Sequence, residues 1–262
     1  MPELPDLEVF CGNLNKLLLN RNIEDVVVYG EKGINVPSSF FINAVRGSSI
    51  DRIFREGKEL FFHLSSGNSF SVHLMLAGRL KVGEISSLEG IRFRIVTFRL
   101  GGNTGLNISD YQGMCKVTLN PKISDVPDAL SEKFTYEYWR KVLDTNKKMN
   151  IKALLINQHI IKGIGNAYAD EILWKAAISP ESTAGKIPEE PAGELFTAVK
   201  DVLTSAIVRI RELSPDIISG EVRSFLSVHN SGKTVADDGR PIIVKTIATK
   251  NTYYTDRQVV YK

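Results

Sequence analysis

The sequence predicts an α+β protein with two domains, an N-terminal antiparallel β-sandwich that begins with a helix and a C-terminal helical domain that ends in a β-hairpin. Three observations support this class. The 262 residues are enough for two hydrophobic cores. The hydrophobic fraction of 43% and the charged fraction of 24% are ordinary for globular proteins. Short β-like runs fill the first 120 residues, and helical periodicity replaces them from residue 134.

The first domain is assigned to residues 1–120. Apolar residues from Leu7 to Leu19 follow helical spacing, with Asp6 or Asn13 as a polar cap or turn residue. Runs rich in Val, Ile and Phe follow, with turn residues between them and no helix expected among them. They lie at residues 25–29, 60–64, 69–74 and 93–100, and the turns lie at 65–68 and 101–105. This spacing is typical of a sandwich or barrel.

The second half of the chain reads as a linker, a helical domain and a hairpin. Prolines and polar residues mark the linker at residues 121–133. The helical domain is assigned to 134–225, with about four helices and prolines near their ends, at positions 180, 188, 191 and 215. Residues 226–262 return to short β-like runs around a turn at Asp237–Gly239.

Composition excludes several classes of protein. No apolar run approaches the roughly 18 residues of a membrane span. The N-terminus lacks the basic and apolar regions of a signal peptide. Cys11 and Cys115 lack metal-binding spacing, so we expect two structural thiols, no metal, and a reducing, cytoplasmic location near the nucleoid if the source is bacterial. The net charge of +3 lies in the C-terminal tail and does not decide for or against nucleic acid. We expect a monomer without a cofactor.

The first three residues carry a possible nucleophile. Methionine before proline is normally removed, and this leaves Pro2 with a free secondary amine. Such an amine can form an iminium ion with a sugar C1′, and the iminium then acts as an electron sink for β-elimination. The neighbouring carboxyl group of Glu3 can move protons to the opening sugar ring. The alternative is an ordinary Met-Pro start followed by a surface charge.

Four motifs together resemble one known family. They are M-P-E-L-P-D-L-E at residues 1–8, E-G-K-E-L at 56–60, H-L-M-L-A-G at 73–78 and Q-H-I-I-K-G-I-G-N-A-Y-A-D-E-I-L at 158–173. In this order they resemble the formamidopyrimidine-DNA glycosylase and endonuclease VIII family. The resemblance spans the whole chain. It implies a bifunctional DNA glycosylase and abasic-site lyase of base excision repair, whose partner is double-stranded DNA with damaged bases or abasic sites.

The resemblance also assigns roles to individual residues. It implies that Pro2 is the nucleophile, that Glu3 relays protons, and that Lys58 acts beside them as a catalytic or phosphate-binding residue. It implies phosphate contacts for His73 and for Asn166, which lies in a helix–two-turns–helix motif. Without the resemblance, Lys58 is equally a lysine at a strand edge, His73 a structural histidine, and the motif an ordinary helix hairpin.

The residues of that motif also have a physical reading of their own. Gly163 and Gly165 permit a tight turn. The amides at the start of the next helix, including that of Gly165, are then expected to face outward toward a phosphate. Asp170 and Glu171 lie inside this helix and are expected to make structural contacts.

The chain departs from the family pattern at its C-terminal finger. The family often carries a zinc finger with four cysteines, and this chain has no cysteine there. Val235, Asp238, Thr255 and Gln258 stand near the ligand positions, so a zincless finger is expected. Packing by Ile242, Val244, Tyr253 and Val259 is expected to replace the metal. Lys250 aligns with the finger's DNA-contacting arginine and keeps its charge without the bidentate geometry.

Two further departures concern the lesion. A base-flipping enzyme fills the vacated space with side chains, and here the candidates are Leu76, with Met75 less favoured, and Tyr111 with Gln112. Segment 109–113 lacks the arginine and phenylalanine that formamidopyrimidine-type members use, and segment 214–225 is shorter than their capping loop. Both differences favour an endonuclease VIII-like range of oxidised pyrimidines and ring-opened bases over 8-oxoguanine.

Two alternative functions use part of the same features. The first is a damaged-DNA-binding relative with little or no turnover, motivated by the altered finger and insertion residues. Retention of Pro2, Glu3 and Lys58 together argues against it, because binding alone needs no free N-terminal amine. The second, a tautomerase with a proline nucleophile, explains neither the length of the chain nor the helix–two-turns–helix motif.

Overall fold

A computed structural model describes residues 1–262, and the chain divides into two compact units. The β unit comprises Met1–Pro2, Asp6–Ser124 and Ser214–Glu221. The helical unit comprises Glu3–Pro5, Asp125–Leu213 and Val222–Lys262. The α+β class with antiparallel sheets and a helical second part is confirmed.

The β unit contains two four-stranded antiparallel sheets. One sheet has the strand order β1-β6-β7-β5 and the other β2-β3-β4-β8. The strands are β1 Ile23–Val28, β2 Ile50–Glu56, β3 Glu59–Leu64, β4 Ser69–His73, β5 Arg79–Glu84, β6 Arg94–Leu100, β7 Thr104–Ser109 and β8 Lys116–Leu119. Three connections pass between the sheets, from β1 to β2, from β4 to β5 and from β7 to β8.

Phenylalanine rings from both sheets fill the core of the β unit. Phe62 stacks on Phe70 at 4.5 Å between ring centroids, and Phe70 stacks on Phe98 at 4.9 Å. Phe41 meets Phe70 and Phe98 edge-on. All four rings are buried, so both sheets and the helix that carries Phe41 contribute to one core.

Helices interrupt the β unit in ways that the apolar pattern does not predict. The N-terminal helix, α1 Leu4–Leu18, begins three residues earlier than expected. Asp6 lies in its first turn, where a negative charge is favourable, and Asn13 lies inside it, so neither residue caps it. The expectation of no helix among the strands was wrong, since α2 Ser38–Val45 and the short α3 Ile85–Leu88 lie there. In α2 the apolar residues that repeat at i and i+4, Phe41 and Val45, are buried.

Segment Ser214–Glu221 belongs to the β unit, so assigning all of residues 134–225 to the helical domain was wrong. Polar contacts of two kinds explain this. The Asn13 Nδ2 atom donates to the carbonyls of Pro215 at 2.7 Å and Ile217 at 2.9 Å. The hydroxyl of Ser219 accepts the amide of Leu80 at 3.2 Å. A pattern of apolar residues cannot reveal such contacts, because their partners are far away in sequence.

The helical unit has four α-helices, in agreement with the sequence. They are α4 Tyr136–Thr145, α5 Ile151–Leu155, α6 Asn166–Lys175 and α7 Glu189–Leu213, with a short 3₁₀ turn at Ala184–Lys186. Thr135 and Asn150 cap α4 and α5 through their side chains. None of the helices in the protein is both long and apolar enough to cross a membrane.

A two-stranded hairpin closes the chain, with β9 at Ile243–Ile247 and β10 at Lys250–Tyr254. The turn between these strands is formed by Ala248 and Thr249, both with positive φ. Left-handed turns of this kind match the twist of a hairpin, but they usually carry Gly or Asn. The residue types at this turn therefore carry no turn signal. The expected turn at Asp237–Gly239 is also present but lies before β9, where the amide of Gly239 donates to the carbonyl of Ala236 at 2.9 Å.

Candidate functional site

Pro2 is a buried residue whose nitrogen lies in a peptide bond with Met1. The terminal ammonium group of Met1 pairs with the carboxylate of Glu221, which also belongs to the β unit. While Met1 is present, the nitrogen of Pro2 is an amide and cannot act as a nucleophile. Removal of Met1 converts it into a secondary amine, as the proposed chemistry requires.

Glu3 caps the N-terminus of helix α6 from outside the helix. Its carboxylate accepts the backbone amides of Gly165 at 2.8 Å, Ala167 at 3.0 Å and Tyr168 at 3.3 Å. Glu3 is only 4% exposed. The positive end of a helix dipole and unsatisfied first-turn amides make this a favourable position for a buried negative charge.

The expectation that the amides at the start of this helix face outward toward phosphate was therefore wrong. The amide of Gly165, predicted to contact DNA, is bound by the chain's own carboxylate. Sequence reasoning read the turn and the helix start correctly but placed the wrong anion there, because nothing local indicates an anion that comes from residue 3.

Close approach of the N-terminal segment explains both glycines of this turn. A Cβ atom on Gly165 would lie 2.3 Å from the carboxyl carbon of Glu3. A Cβ atom on Gly163 would lie 2.5 Å from a methyl carbon of Leu4, and the φ of Gly163 is +100°. The amide of Leu4 also donates to the carbonyl of Gly163 at 3.2 Å. The turn therefore binds residues 3 and 4, and only glycine leaves room for them.

Asn166 is the first residue of α6 and contacts the C-terminal hairpin. Its Nδ2 atom donates to the carbonyl of Asn251 at 2.9 Å, while its Oδ1 atom is buried and has no hydrogen-bond partner. Gln158 orders the preceding turn, because it donates to the carbonyls of Ile156 and Ile164 and accepts the amide of Gly163. Asn166 therefore presents an acceptor that the protein itself leaves unused.

Lys58 is the second residue of the two-residue turn that joins β2 to β3. The pair Glu56 and Glu59 closes this hairpin, and Gly57 has a φ of 58°. Lys58 thus lies at a hairpin tip and is half-buried, rather than entering a strand as expected. A turn allows its long side chain to reach beyond the sheet, which suits a phosphate contact.

His73 ends strand β4, and its Nδ1 atom accepts the amide of Met75 at 3.2 Å. Burial lowers the pKa of His73, the charge of Lys58 acts in the same direction, and Glu59 opposes them. The ring is therefore neutral at pH 7. With Nδ1 occupied as an acceptor, the hydrogen lies on Nε2. His73 thus provides one N–H donor of defined position.

Leu76 and Tyr111 lie on two of the three crossovers between the sheets, β4 to β5 and β7 to β8, which join the sheets at the same end. The first of these crossovers runs from His73 to Arg79, and the second runs from Ser109 to Lys116. His73 of β4 pairs with Lys116 of β8, and Arg79 of β5 pairs with Ser109 of β7. Leu76 is 54% exposed and Tyr111 is 67% exposed. The structure thus brings the two predicted insertion residues to one edge of the β unit.

Asp110 orders the second crossover, and sequence reasoning missed it. Its buried carboxylate accepts the amides of Gln112, Met114 and Cys115 at 2.7–2.8 Å. This contact set folds the loop into a compact turn beneath Tyr111. The only signal in the sequence was an aspartate at the end of a β-like run.

Comparison with known proteins places this geometry in a family. The N-terminal domain of formamidopyrimidine-DNA glycosylase matches residues 1–117, and the H2TH domain of the same enzyme matches residues 126–214. A formamidopyrimidine-DNA glycosylase of Carboxydothermus hydrogenoformans is 36% identical over 209 residues, which cover 79% of this chain and 78% of that one. One from Pelotomaculum thermopropionicum is 32% identical over 97% of both chains. The chain belongs to the formamidopyrimidine-DNA glycosylase family.

Solved structures of the family share the fold. A Lactococcus lactis Fpg protein in complex with DNA that contains an oxidised pyrimidine has a TM-score of 0.84, at 24% identity over 97% of this chain and 98% of that one. A MutM protein in complex with DNA that contains carbocyclic 8-oxo-G has the same TM-score, identity and coverage. The family resemblance drawn from the four motifs is confirmed.

The finger of this family member does not fit a zinc ion. No group of three or more His, Cys, Asp or Glu side chains that could hold a metal occurs in the chain. Of the four residues near the ligand positions, Val235 has no donor atom. Gln258 accepts the amide of Thr255 at 2.9 Å and donates to the carbonyl of Ile178 at 2.8 Å. Thr255 and Gln258, two of the residues near the ligand positions, thus bond to each other, and Gln258 also bonds to Ile178 of the helical unit.

Apolar packing replaces the metal only in part. Val244 is 57% exposed and Val259 is 51% exposed, contrary to expectation, whereas Ile242 and Tyr253 are partly buried and the ring of Tyr253 meets that of His229 at 4.7 Å. Polar groups also anchor the hairpin to the helices. Buried Lys152 of α5 pairs with Asp170 of α6 at 2.7 Å and donates to Thr252 of β10 at 2.5 Å. Such a pair is stable only when its hydrogen bonds are satisfied.

Asp170 extends this anchor to two further elements. It accepts the amide of Tyr253 at 3.0 Å and contacts the Nδ1 atom of His229 at 2.7 Å. Its neighbour Glu171 accepts the amides of Ser227, Val228 and His229, so the structural role expected for both carboxylates is confirmed. The predicted DNA contact Lys250 is exposed at the start of the strand that they hold.

A glycine-to-alanine pair tests the close approach of Glu3 to α6. Gly165→Ala is expected to destabilise the protein by more than about 2 kcal/mol, because the new methyl group would collide with the buried carboxylate that caps the helix. The backbone of Gly165, with φ of −121°, tolerates alanine, so the collision is the only cost. Thermal melting measures the effect.

Gly12→Ala is the matched control. Gly12 lies in α1, and nothing beyond its own stretch of helix comes within 4 Å of the place where a Cβ atom would stand. Alanine there is expected to stabilise the protein by about 0.5–1 kcal/mol. Equal melting temperatures for wild type and Gly165→Ala would contradict the contact between Gly165 and Glu3.

Proposed function

We propose that this chain is a bifunctional DNA glycosylase and abasic-site lyase whose nucleophile is the amine of Pro2. Membership of the family supports a DNA glycosylase of base excision repair. One observation carries the mechanistic part. Residues 3 and 4 are held against the turn that contains Gly163 and Gly165 and against the first turn of α6 by four hydrogen bonds, so the residue that precedes them has a fixed backbone position. A nucleophile gains rate from such positioning.

The reaction begins when Met1 has been removed. The nitrogen of Pro2 bonds to C1′ of the damaged nucleotide, the glycosidic bond breaks, and the base leaves with the electron pair and a proton. Opening of the sugar ring, with protonation of its oxygen, gives the iminium ion. The iminium withdraws electrons from C2′, whose proton is lost as the bond from C3′ to the phosphate oxygen breaks. Water then releases the enzyme.

We assign Glu3 a positioning role beside its implied role as a proton relay. Its two oxygen atoms accept three amides, which use three of the roughly four lone pairs of a carboxylate, so its main observed contacts are structural. A positioning role requires a buried carboxylate that keeps its hydrogen bonds to the helix amides, whereas proton transfer is easier for a carboxylate that gives one of them up.

The remaining predicted residues suit contacts with DNA. Lys58, His73 and Lys250 offer donors for phosphate oxygens, and Asn166 lies beside Lys250 because it donates to the carbonyl of Asn251. Leu76 and Tyr111 suit the space left by an extruded nucleotide, because both are exposed at one edge of the β unit. Phosphate contacts position the DNA, and the inserted side chains offset the lost stacking.

Borohydride trapping tests the nucleophile. Protein with Met1 shown to be absent by mass spectrometry is incubated with a duplex that contains an abasic site, in the presence of EDTA. We expect a covalent adduct that maps to Pro2, since the iminium is reduced to a stable amine and no metal takes part in its formation.

The control is the same chain with an uncleavable N-terminal extension, which keeps the nitrogen of Pro2 in a peptide bond. It is expected to bind the duplex without forming the adduct. Binding without an adduct by the processed protein would instead favour a damaged-DNA-binding relative with little turnover.

We further propose that the lesion range is endonuclease VIII-like, with oxidised pyrimidines and ring-opened bases preferred over 8-oxoguanine. The absence of arginine and phenylalanine at residues 109–113 supports this, as does the short segment after α7. That segment is also bonded to Asn13 at two carbonyls, which restricts its ability to fold over a bulky purine.

Single-turnover excision from duplexes that contain thymine glycol, a formamidopyrimidine or 8-oxoguanine measures the preference. We expect the first two bases to be released at least about tenfold faster than 8-oxoguanine, a difference of about 1.4 kcal/mol in activation free energy. Efficient release of 8-oxoguanine alone would overturn the proposed range.

A further inference from the structure

Phe93 is an exposed aromatic residue held in a strained backbone conformation. Its φ is 58°, in the left-handed region, and its side chain is 56% exposed. Bulky residues rarely adopt this conformation, because the Cβ atom crowds the following carbonyl oxygen. Burial does not offset the strain. Strained backbone conformations of this kind cluster at functional sites, so the position of Phe93 in the fold is informative.

The fold places Phe93 beside the loop that carries Tyr111. Phe93 directly precedes β6, and its carbonyl accepts the amide of Asp110 at 3.0 Å. Asp110 is the residue whose carboxylate orders the second crossover. The strained backbone of Phe93 is therefore fixed by the same loop that presents Tyr111.

The strand register shows that Leu76 lies at this edge as well. Ser109 of β7 pairs with Arg94 of β6 on one side and with Arg79 of β5 on the other. Phe93 precedes Arg94, Leu76 precedes Arg79 and Tyr111 follows Ser109, so all three lie just beyond this row of paired residues. Three exposed apolar side chains thus come from three neighbouring strands at one end of one sheet.

The positive charge of Arg92 lies beside the ring of Phe93. The guanidinium carbon of Arg92 lies 5.2 Å from the centroid of Phe93, within range of a cation–π contact. An exposed aromatic ring beside an arginine suits a partner with a flat π-face and a nearby negative charge. A nucleotide has both.

We propose that Phe93 is a further DNA-contacting residue, which stacks on the base left without a partner when the damaged nucleotide leaves the helix. This inference rests on the proposed glycosylase function. Neither the four motifs nor the predicted insertion residues include Phe93, because it lies on a different connection of the fold.

Phe93→Asn separates a role in binding from a role in stability. Asparagine adopts the left-handed conformation readily, so this change removes the ring and relieves the strain. We expect the melting temperature to stay the same or rise. We expect affinity for a duplex that contains a tetrahydrofuran abasic-site analogue to fall about five- to tenfold, since stacking on an aromatic side chain contributes measurably to each base bound.

A spectroscopic probe reports the stacking itself. With 2-aminopurine placed opposite the tetrahydrofuran, wild-type protein is expected to change the fluorescence on binding, and Phe93→Asn to lose most of this change. Phe93→Tyr keeps an aromatic ring and should restore both signals. Phe40→Ala is the matched control, because Phe40 is 60% exposed on α2 and should leave both unchanged.

Two results would overturn the inference. One is affinity of Phe93→Asn within twofold of wild type together with an unchanged 2-aminopurine signal. The other is an equal loss of affinity for Phe40→Ala, which would indicate a general effect of exposed rings. The tetrahydrofuran analogue cannot form an iminium ion, so these binding results stand apart from borohydride trapping, whose failure in the wild type would count against the proposed nucleophile alone.

Discussion

The N-terminal part of this protein depends on one interaction, the capping of helix α6 by the carboxylate of Glu3. A helix begins with amides that lack partners, and a buried carboxylate needs several donors. Each satisfies the other here, through three hydrogen bonds to Gly165, Ala167 and Tyr168. The partners are more than 160 residues apart in the chain. The contact therefore fixes Glu3 within the helical unit.

This contact explains the two glycines and supports the proposed nucleophile. Gly163 and Gly165 lack side chains because Leu4 and Glu3 occupy the space. A family motif that is easily read as a phosphate-binding turn instead holds the N-terminal segment in place. Positioning of an amine by a rigid neighbour is a familiar source of rate enhancement, since it removes conformational freedom before the reaction. The contacts of Asp170 position a second segment in a similar way, because they hold the strand that carries Lys250 without a metal.

Much of the fold followed from local patterns, whereas the details of the site did not. Runs rich in Val, Ile and Phe predicted β1, β3, β4 and β6, and helical spacing predicted α1 and the four C-terminal helices. The family motifs indicated the candidate residues. Long-range polar contacts were missed, because the side chains of Asn13, Asp110 and Lys152 show no periodicity that indicates their partners. The hairpin turn at Ala248 and Thr249 was missed because its residues are unusual for positive φ.

Replacement of Glu3 by glutamine tests the central claim most directly, with melting temperature and borohydride trapping measured on the same processed protein. Glutamine keeps one oxygen acceptor but turns an NH₂ group toward the helix amides. We predict a loss of at least about 2 kcal/mol in the free energy of unfolding together with a loss of trapping, because the cap and the position of Pro2 fail together. Lost trapping at an unchanged melting temperature would contradict this account and would assign Glu3 to proton transfer alone.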